Sequence, residues 1–172
     1  MEARQVVTYM STVLVQPTYH VELIDGREVQ KPLPRLEHAR IQTYLIRRLG
    51  NDLSRTYEAL SELNVLCGED RLTPDVTISR RDARYKDGNL ADPAIICVEI
   101  LSPGQRLAEL FDKADRLLKA GTPLCWIIWP ERRKAWMYSA DDLEEAKTHL
   151  RATLPEGNVL EVELAAMWSE LD

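Results

Sequence analysis

Hydrophobic and polar positions divide the middle of the chain into two strands, a helix and a third strand. The segment Leu72–Ile78 alternates between apolar and polar positions, whereas Ala94–Leu101 is apolar on both faces. A strand that is apolar on both faces is typical of the buried centre of a sheet. Apolar residues then recur at helical spacing from Ser102 to Gly121, and a strand is predicted over Leu124–Trp129. This order of strand, helix and strand allows a parallel crossover.

Further elements are predicted on both sides of this segment. Asp25 and Gly26 separate two short strands and predict a tight hairpin turn. The other predicted elements are a helix over Leu36–Leu53, strands over Thr56–Leu66, Lys134–Ser139 and Val159–Leu164, and short helices over Asp141–Leu150 and Leu164–Leu171. The expected fold is α/β, with a central mixed sheet flanked by helices. We expect one domain over residues 19–172 after an N-terminal extension over residues 1–18, whose apolar run is too short to span a bilayer.

Composition narrows the class of protein. The 172 residues are 45% hydrophobic and 29% charged, which is ordinary for a soluble globular protein. The net charge of −6 argues against tight nonspecific binding of nucleic acid over the whole surface, but leaves room for a local basic rim. Cys67, Cys97 and Cys125 form no paired motif, so we expect reduced core thiols in a cytoplasmic protein, rather than disulfides or a zinc site.

Two carboxylates and a lysine are the candidate chemistry. Asp75 shares one face of its strand with Thr77, and Glu99 interrupts the apolar strand that follows. A buried carboxylate must be paired, protonated or bound to a metal. Lys113 lies on the flank of the helical stripe, where it can bury its stem and reach the sheet edge. These residues fit a metal site, or a buried ion pair between Glu99 and Lys113 with Asp75 capping a turn.

The order of these residues resembles the PD-(D/E)XK restriction-endonuclease-like superfamily. Asp75 follows Pro74, Glu99 lies on the next strand, and a lysine follows, although Leu101 stands at the usual lysine position. Within the superfamily, the chain resembles the Uma-type restriction endonuclease family, in which the lysine lies on the helix after the second acid. The segments that carry this resemblance are Glu99-Ile100-Leu101-Ser102-Pro103, Asp112-Lys113, Ala120-Gly121, Trp126–Arg133, Val21–Gly26 and Glu37-His38. Leu117 and Trp129 depart from the family, which often has a tyrosine and an acid there.

The resemblance implies an endonuclease that depends on Mg²⁺ or Mn²⁺ and hydrolyses phosphodiester bonds, with DNA as the expected substrate. It implies that Asp75, Glu99 and the backbone carbonyl of Ile100 bind the metal. Carboxylate oxygens suit Mg²⁺, which activates bound water. Lys113 would orient or deprotonate the water, or stabilise the transition state. Glu62 is an additional candidate acid if its strand lies beside that of Asp75.

Other expectations complete this interpretation. Arg80, Arg81 and Arg84 lie in the linker between the two acidic strands and are candidate phosphate contacts, or simply part of a mobile surface loop. Glu22 is expected to be a solvated strand residue, and His38 a structural residue at a helix start. The superfamily resemblance and the outer strand predict a homodimer. The alternative function is a non-catalytic interaction protein that keeps the nuclease fold.

Overall fold

The computed structural model describes residues 21–53 and 55–172. The extension expected over residues 1–18 lies outside the described residues, so the domain boundary stays a prediction. The described helices are α1 (Leu36–Asp52), α2 (Leu107–Lys119) and α3 (Leu164–Ser169). The described strands are β1 (Val21–Ile24), β2 (Arg27–Gln30), β3 (Tyr57–Ser61), β4 (Val65–Cys67), β5 (Asp70–Leu72), β6 (Val76–Arg80), β7 (Tyr85–Lys86), β8 (Asn89–Leu90), β9 (Ile96–Ile100), β10 (Leu124–Trp129), β11 (Lys134–Tyr138), β12 (Leu143–Glu145), β13 (His149–Thr153) and β14 (Val159–Glu163). In the described ranges, no helix has the length and hydrophobicity needed to cross a membrane.

A mixed sheet of six strands forms the centre of the molecule, in the order β12-β11-β10-β9-β6-β3. β9 and β10 are parallel and are connected through α2, whereas the other neighbouring strands are antiparallel. Val98 of β9 pairs with Val76 of β6 on one side and with Trp126 of β10 on the other. The predicted α/β architecture and its strand–helix–strand crossover are therefore confirmed.

A second sheet, in the order β2-β1-β5-β4-β8-β7, contains the predicted hairpin, and β13 pairs with β14 separately. Asp25 and Gly26 have φ values of 51° and 72°, the left-handed conformation that a two-residue hairpin turn requires. The hairpin is held to α2 by Arg116, which forms ion pairs of 2.7 Å with both Asp25 and Asp70. This contact fixes the second sheet beside the helix that carries Lys113.

The alternation of side chains along β9 separates two hydrophobic cores. Ile96, Val98 and Ile100 belong to the core that includes α1, α3 and β13–β14. Cys97 belongs to the core under α2, on the opposite face. Glu99 shares the face of Cys97 and stands at the end of the strand, so it reaches the space between α2 and the second sheet.

Pro74 divides the strand predicted over Leu72–Ile78, because proline donates no backbone hydrogen bond to a sheet. Leu72 ends β5 in the second sheet, and Val76 begins β6 in the central sheet. The strand predicted over Thr56–Leu66 is also divided, because Glu62 after β3 has a left-handed φ of 53°. Asp75 therefore lies in the link between the two sheets, not within a strand.

The predicted start of α2 at Ser102 is wrong. Gly104 has a φ of 91°, which interrupts a helix, and Gln105 Oε1 accepts a hydrogen bond from the Ser102 amide at 2.9 Å within a separate turn. The helix begins at Leu107, and Glu109 accepts hydrogen bonds from the Arg106 amide at 3.3 Å and from Arg106 Nε at 2.7 Å. The helix predicted over Asp141–Leu150 is also wrong, because that segment forms β12 and the start of β13.

The end of α2 agrees with the prediction. Gly121, at a φ of 103°, donates its amide to the Leu118 carbonyl at 3.0 Å, and Thr122 donates to the Leu117 carbonyl at 3.1 Å. This pair of hydrogen bonds is a Schellman motif. A Cβ atom on Gly121 would lie 3.0 Å from Pro93 Cγ, so both conformation and space favour glycine.

We expect Gly121→Ala to lower the free energy of unfolding by about 1–3 kcal/mol, because alanine is strained at this φ. Gly50→Ala is the matched control, since Gly50 is helical and exposed and has no atom within 4 Å of an added Cβ. It should raise the free energy of unfolding by about 0.5 kcal/mol. Urea denaturation measures both changes, and equal effects of the two substitutions would contradict the structural role of Gly121.

Candidate active site

Asp75 is the most enclosed carboxylate of the site, with 1% of its surface exposed. Its Oδ2 accepts a hydrogen bond from the Ile100 amide at 2.6 Å and lies 3.2 Å from His38 Nε2. Its Oδ1 lies 2.6 Å from Lys31 Nζ. Burial raises the pKa of Asp75, but the hydrogen bond from His38 and the charge of Lys31 outweigh it and hold the pKa well below its usual value. Asp75 is therefore an anion throughout the physiological range.

Glu99 has the opposite electrostatic environment. It is 3% exposed, and its Oε1 lies 2.9 Å from Lys113 Nζ. Burial raises the pKa of Glu99 to about 8, since the opposing effect of Lys113 is smaller and the charge of Asp75 raises the pKa further. Two neighbouring carboxyl groups whose pKa values move in opposite directions are typical of a catalytic site.

Lys113 extends from α2 to the end of the sheet and is buried. Its Nζ lies 2.5 Å from Glu22 Oε1 and 2.9 Å from Glu99 Oε1, and it donates a hydrogen bond to the Thr73 carbonyl at 2.9 Å. Burial lowers the pKa of Lys113, but the charges of Glu99, Glu22 and Asp75 outweigh it and raise the pKa above its usual value. Lys113 is therefore a charged hydrogen-bond donor at neutral pH.

Lys31 provides a second ammonium group, from the segment between β2 and α1. Its Nζ lies 2.6 Å from both Asp75 Oδ1 and Glu62 Oε2, and it donates to the Thr73 carbonyl at 3.1 Å. Glu62 Oε1 accepts a hydrogen bond from Gln42 Nε2 at 3.0 Å. Burial lowers the pKa of Lys31, but the charges of Asp75, Glu99 and Glu62 together outweigh it and the pKa is raised. The two lysines thus flank one backbone carbonyl, and each bridges two carboxylates.

These groups line or border a cavity of about 360 Å³ between the β1–β2 hairpin and α2. Four carboxylates (Glu22, Glu62, Asp75 and Glu99) lie around the two ammonium groups, so the cluster has a formal charge of two negative when all are ionised. Oxygen donors with surplus negative charge fit a hard divalent cation. Within residues 21–53 and 55–172, however, no three acidic, histidine or cysteine side chains are arranged to hold a metal ion. Lys31 and Lys113 lie between the acids. A metal would therefore have to displace an ammonium group from a carboxylate.

The structure brings five of the predicted site residues together. Asp75, Glu99, Ile100 and Lys113 line the cavity, and Glu62 joins them through Lys31. Glu62 directly follows β3 and Asp75 directly precedes β6, and these two strands are neighbours. The ion pair between Glu99 and Lys113, expected as the alternative to a metal, is also present.

The arginines predicted to contact phosphate lie elsewhere. Arg80 is five residues beyond Asp75, at the opposite end of β6, about 16 Å away at the usual rise of a strand. Arg80 pairs with Asp82 at 2.8 Å, and the pairs of the other two are Arg81 with Glu58 and Arg84 with Asp92. None of the three arginines lines the cavity. Their contact with nucleic acid stays a prediction.

The sequence interpretation missed three contributors. Glu22 was expected to be solvated, but it is 6% exposed, pairs with Lys113 and accepts a hydrogen bond from the Thr73 amide at 2.7 Å. His38 is buried, as a structural residue would be, and it contacts Asp75 directly. Both lie in segments that carry the family resemblance, which was the available signal. Nothing in the sequence pattern marked Lys31.

The raised pKa of Glu99 predicts how stability depends on pH. Between the usual pKa of 4.5 and about 8, the folded state binds more protons than the unfolded state, so burial of Glu99 lowers stability as pH rises. We expect the stability of Glu99→Gln, relative to the parent, to increase from about pH 5 to about pH 9. Urea denaturation with a chelator present measures this difference.

The control for this prediction is Asp92→Asn. The hydrogen bond from Arg84 lowers the pKa of Asp92, so its contribution is complete above the usual pKa and is lost only in acid. Its stability difference from the parent should be constant over the same range. A constant difference for Glu99→Gln as well would contradict the raised pKa.

Comparison with known proteins confirms the family and the fold. The family model described as "Putative restriction endonuclease", Uma2, matches residues 8–171. A solved structure of a putative nuclease belonging to DUF820, from Anabaena variabilis ATCC 29413, is similar to this chain. The TM-score is 0.74 and the sequence identity 25%, over 88% of this chain and 90% of that one. A search of curated proteins finds no match. Since the family model matches almost the whole chain, this protein belongs to the Uma2 family.

Proposed function

We propose that this protein is a metal-dependent endonuclease that hydrolyses phosphodiester bonds in DNA at Asp75, Glu99 and Lys113. The observation that carries the proposal is the pairing of two buried carboxylates with two ammonium groups beside a cavity. The family description and the similar nuclease structure support a nuclease. The metal and the choice of DNA rest on the family resemblance and on the chemistry of the oxygen donors.

Asp75, Glu99 and the carbonyl of Ile100 would hold Mg²⁺ or Mn²⁺. When bound, such an ion supplies a water of lowered pKa and neutralises charge on the phosphate. The amide of Ile100 and the ring of His38 orient Asp75, so both are positioning groups. Glu99 has to lose its proton to act as a ligand, because metal ligands bind in the deprotonated form.

Lys113 acts by donating hydrogen bonds. Burial lowers the pKa of Lys113, but the charges of Glu99, Glu22 and Asp75 raise it by a larger amount. The amine is therefore protonated at neutral pH and has no free electron pair. It therefore cannot deprotonate the attacking water in this state, and it stabilises negative charge on the phosphate instead. Glu22 holds the ammonium in place from the hairpin side.

Several finer points remain proposals. Arg80, Arg81 and Arg84 would contact only flanking phosphates, because none of them lines the cavity and Arg80 lies about 16 Å from Asp75. The homodimer and the cytoplasmic location stay predictions. The observation that favours the alternative function, a non-catalytic interaction protein, is that an ammonium group is paired with each of Asp75 and Glu99.

Cleavage of DNA tests the proposal. We expect the parent to cut supercoiled plasmid with Mg²⁺ or Mn²⁺, and not with a chelator. Asp75→Asn, Glu99→Gln and Lys113→Met should each lower the cleavage rate by about 100-fold or more, because each removes a metal ligand or a charge at the phosphate.

Glu161→Gln is the control, since Glu161 pairs with Arg151 and His149 on the separate hairpin of β13 and β14. Its cleavage rate should equal that of the parent. Single-stranded DNA and RNA, tested in parallel, report the substrate class. A folded parent that cuts none of these substrates and binds neither metal would favour the interaction protein.

A further inference from the structure

The ammonium of Lys31 lies against the oxygen through which Asp75 would bind a metal. Asp75 Oδ2 already accepts a hydrogen bond from the Ile100 amide and lies 3.2 Å from His38 Nε2. Asp75 Oδ1 is buried, and no described residue donates a hydrogen bond to it. Lys31 Nζ lies 2.6 Å from Oδ1, in an ion pair without hydrogen-bond geometry. A metal bound through Oδ1 would therefore compete directly with Lys31.

Glu62 offers Lys31 another partner at the same position. The Nζ of Lys31 lies 2.6 Å from Glu62 Oε2 and donates to the Thr73 carbonyl at 3.1 Å. The Gln42 amide fixes the other oxygen of Glu62 at 3.0 Å. Lys31 can therefore leave Asp75 and keep both an ion pair and a hydrogen bond. The side chain of Glu62 is 26% exposed, so the charge of that pair is also partly solvated.

Lys113 has no comparably exposed second partner. It is paired with Glu99 and Glu22, whose side chains are 4% and 8% exposed, so both of its partners are buried. Each ammonium compensates one candidate metal ligand, but only Lys31 has a more exposed carboxylate as its second partner. Of the two lysines, Lys31 is therefore the one that can yield its position to a metal.

We propose that Lys31 competes with the metal for Asp75. Its ammonium neutralises Asp75 when no metal is bound and shifts to Glu62 when a metal binds. This inference rests on the proposed function, because it requires a metal at Asp75 and Glu99. Glu62 then affects metal binding through Lys31, and is not itself a ligand. Lys31 is a positioning residue in this account, and it sets the affinity for the metal.

Calorimetric titration of the full chain with MnCl₂ tests this role. We expect Lys31→Met to raise the association constant for Mn²⁺ by about tenfold, as removal of an adjacent competing charge should. The same variant should have a lower Tm than the parent in EDTA, because it leaves Asp75 without its cation, and a larger rise in Tm on adding Mn²⁺. Lys134→Met is the control, because Lys134 on β11 pairs at 3.6 Å with Glu145 on the edge strand β12 and not with a residue of the site. It should match the parent in all three measurements.

A double-mutant cycle separates the role of Glu62 from that of a ligand. Glu62→Gln should weaken Mn²⁺ binding in the parent, where Lys31 would be confined to Asp75. The same substitution should have little effect in Lys31→Met, where no competing ammonium remains. If Glu62→Gln weakens Mn²⁺ binding equally in both backgrounds, Glu62 acts on the metal directly, as a ligand or through its charge. That result would overturn its proposed action through Lys31.

Lys31→Gln keeps a donor for the Thr73 carbonyl without the charge, and should raise Mn²⁺ affinity in the same way if Lys31→Met does not fold. A parent that binds Mn²⁺ with an affinity unchanged or lowered in these variants would overturn this inference and leave the proposed function standing. No Mn²⁺ binding by the parent or by either folded variant would overturn both.

Discussion

The requirement to neutralise carboxylates that are removed from water shapes the centre of this structure. Asp75, Glu99 and Glu22 are all buried at one end of the central sheet. Loss of one partner from a buried ion pair typically costs about 3–5 kcal/mol, so these acids depend on the lysines beside them. Both lysines donate to the Thr73 carbonyl, at 2.9 and 3.1 Å, which makes this backbone oxygen the common anchor of the site.

Each charge comes from a different part of the chain. Lys31 follows the hairpin, Asp75 follows the break at Pro74, Glu99 is the penultimate residue of a central strand, and Lys113 projects from α2. The site therefore forms only when both sheets and the helix have assembled. Arg116 contributes to this assembly, because its ion pairs hold the hairpin and β5 against α2. Stability and site geometry are thus linked through the same contacts.

The sequence revealed the part of the site that follows local patterns. Glu99 stood out because a charge interrupts an apolar strand, and Lys113 because it lies on the flank of the helix where the family resemblance places a lysine. The break at Pro74 was less evident, since the alternation from Leu72 to Ile78 continues through it. The helix predicted over Asp141–Leu150 does not form. The segment has the polar composition of a surface helix, but β12 pairs with β11 instead. The sequence pattern did not indicate Lys31, because its contacts are long-range. Glu62 and Asp75 are both more than thirty residues away along the chain.

Anomalous X-ray diffraction from crystals grown with Mn²⁺ tests the central claim most directly, because it locates the metal independently of turnover. The account predicts a manganese peak within coordination distance of the carboxylates of Asp75 and Glu99, with the ammonium of Lys31 moved from Asp75 to Glu62. A structure at saturating Mn²⁺ with no peak at these carboxylates, and with both lysines still on their acids, would contradict it.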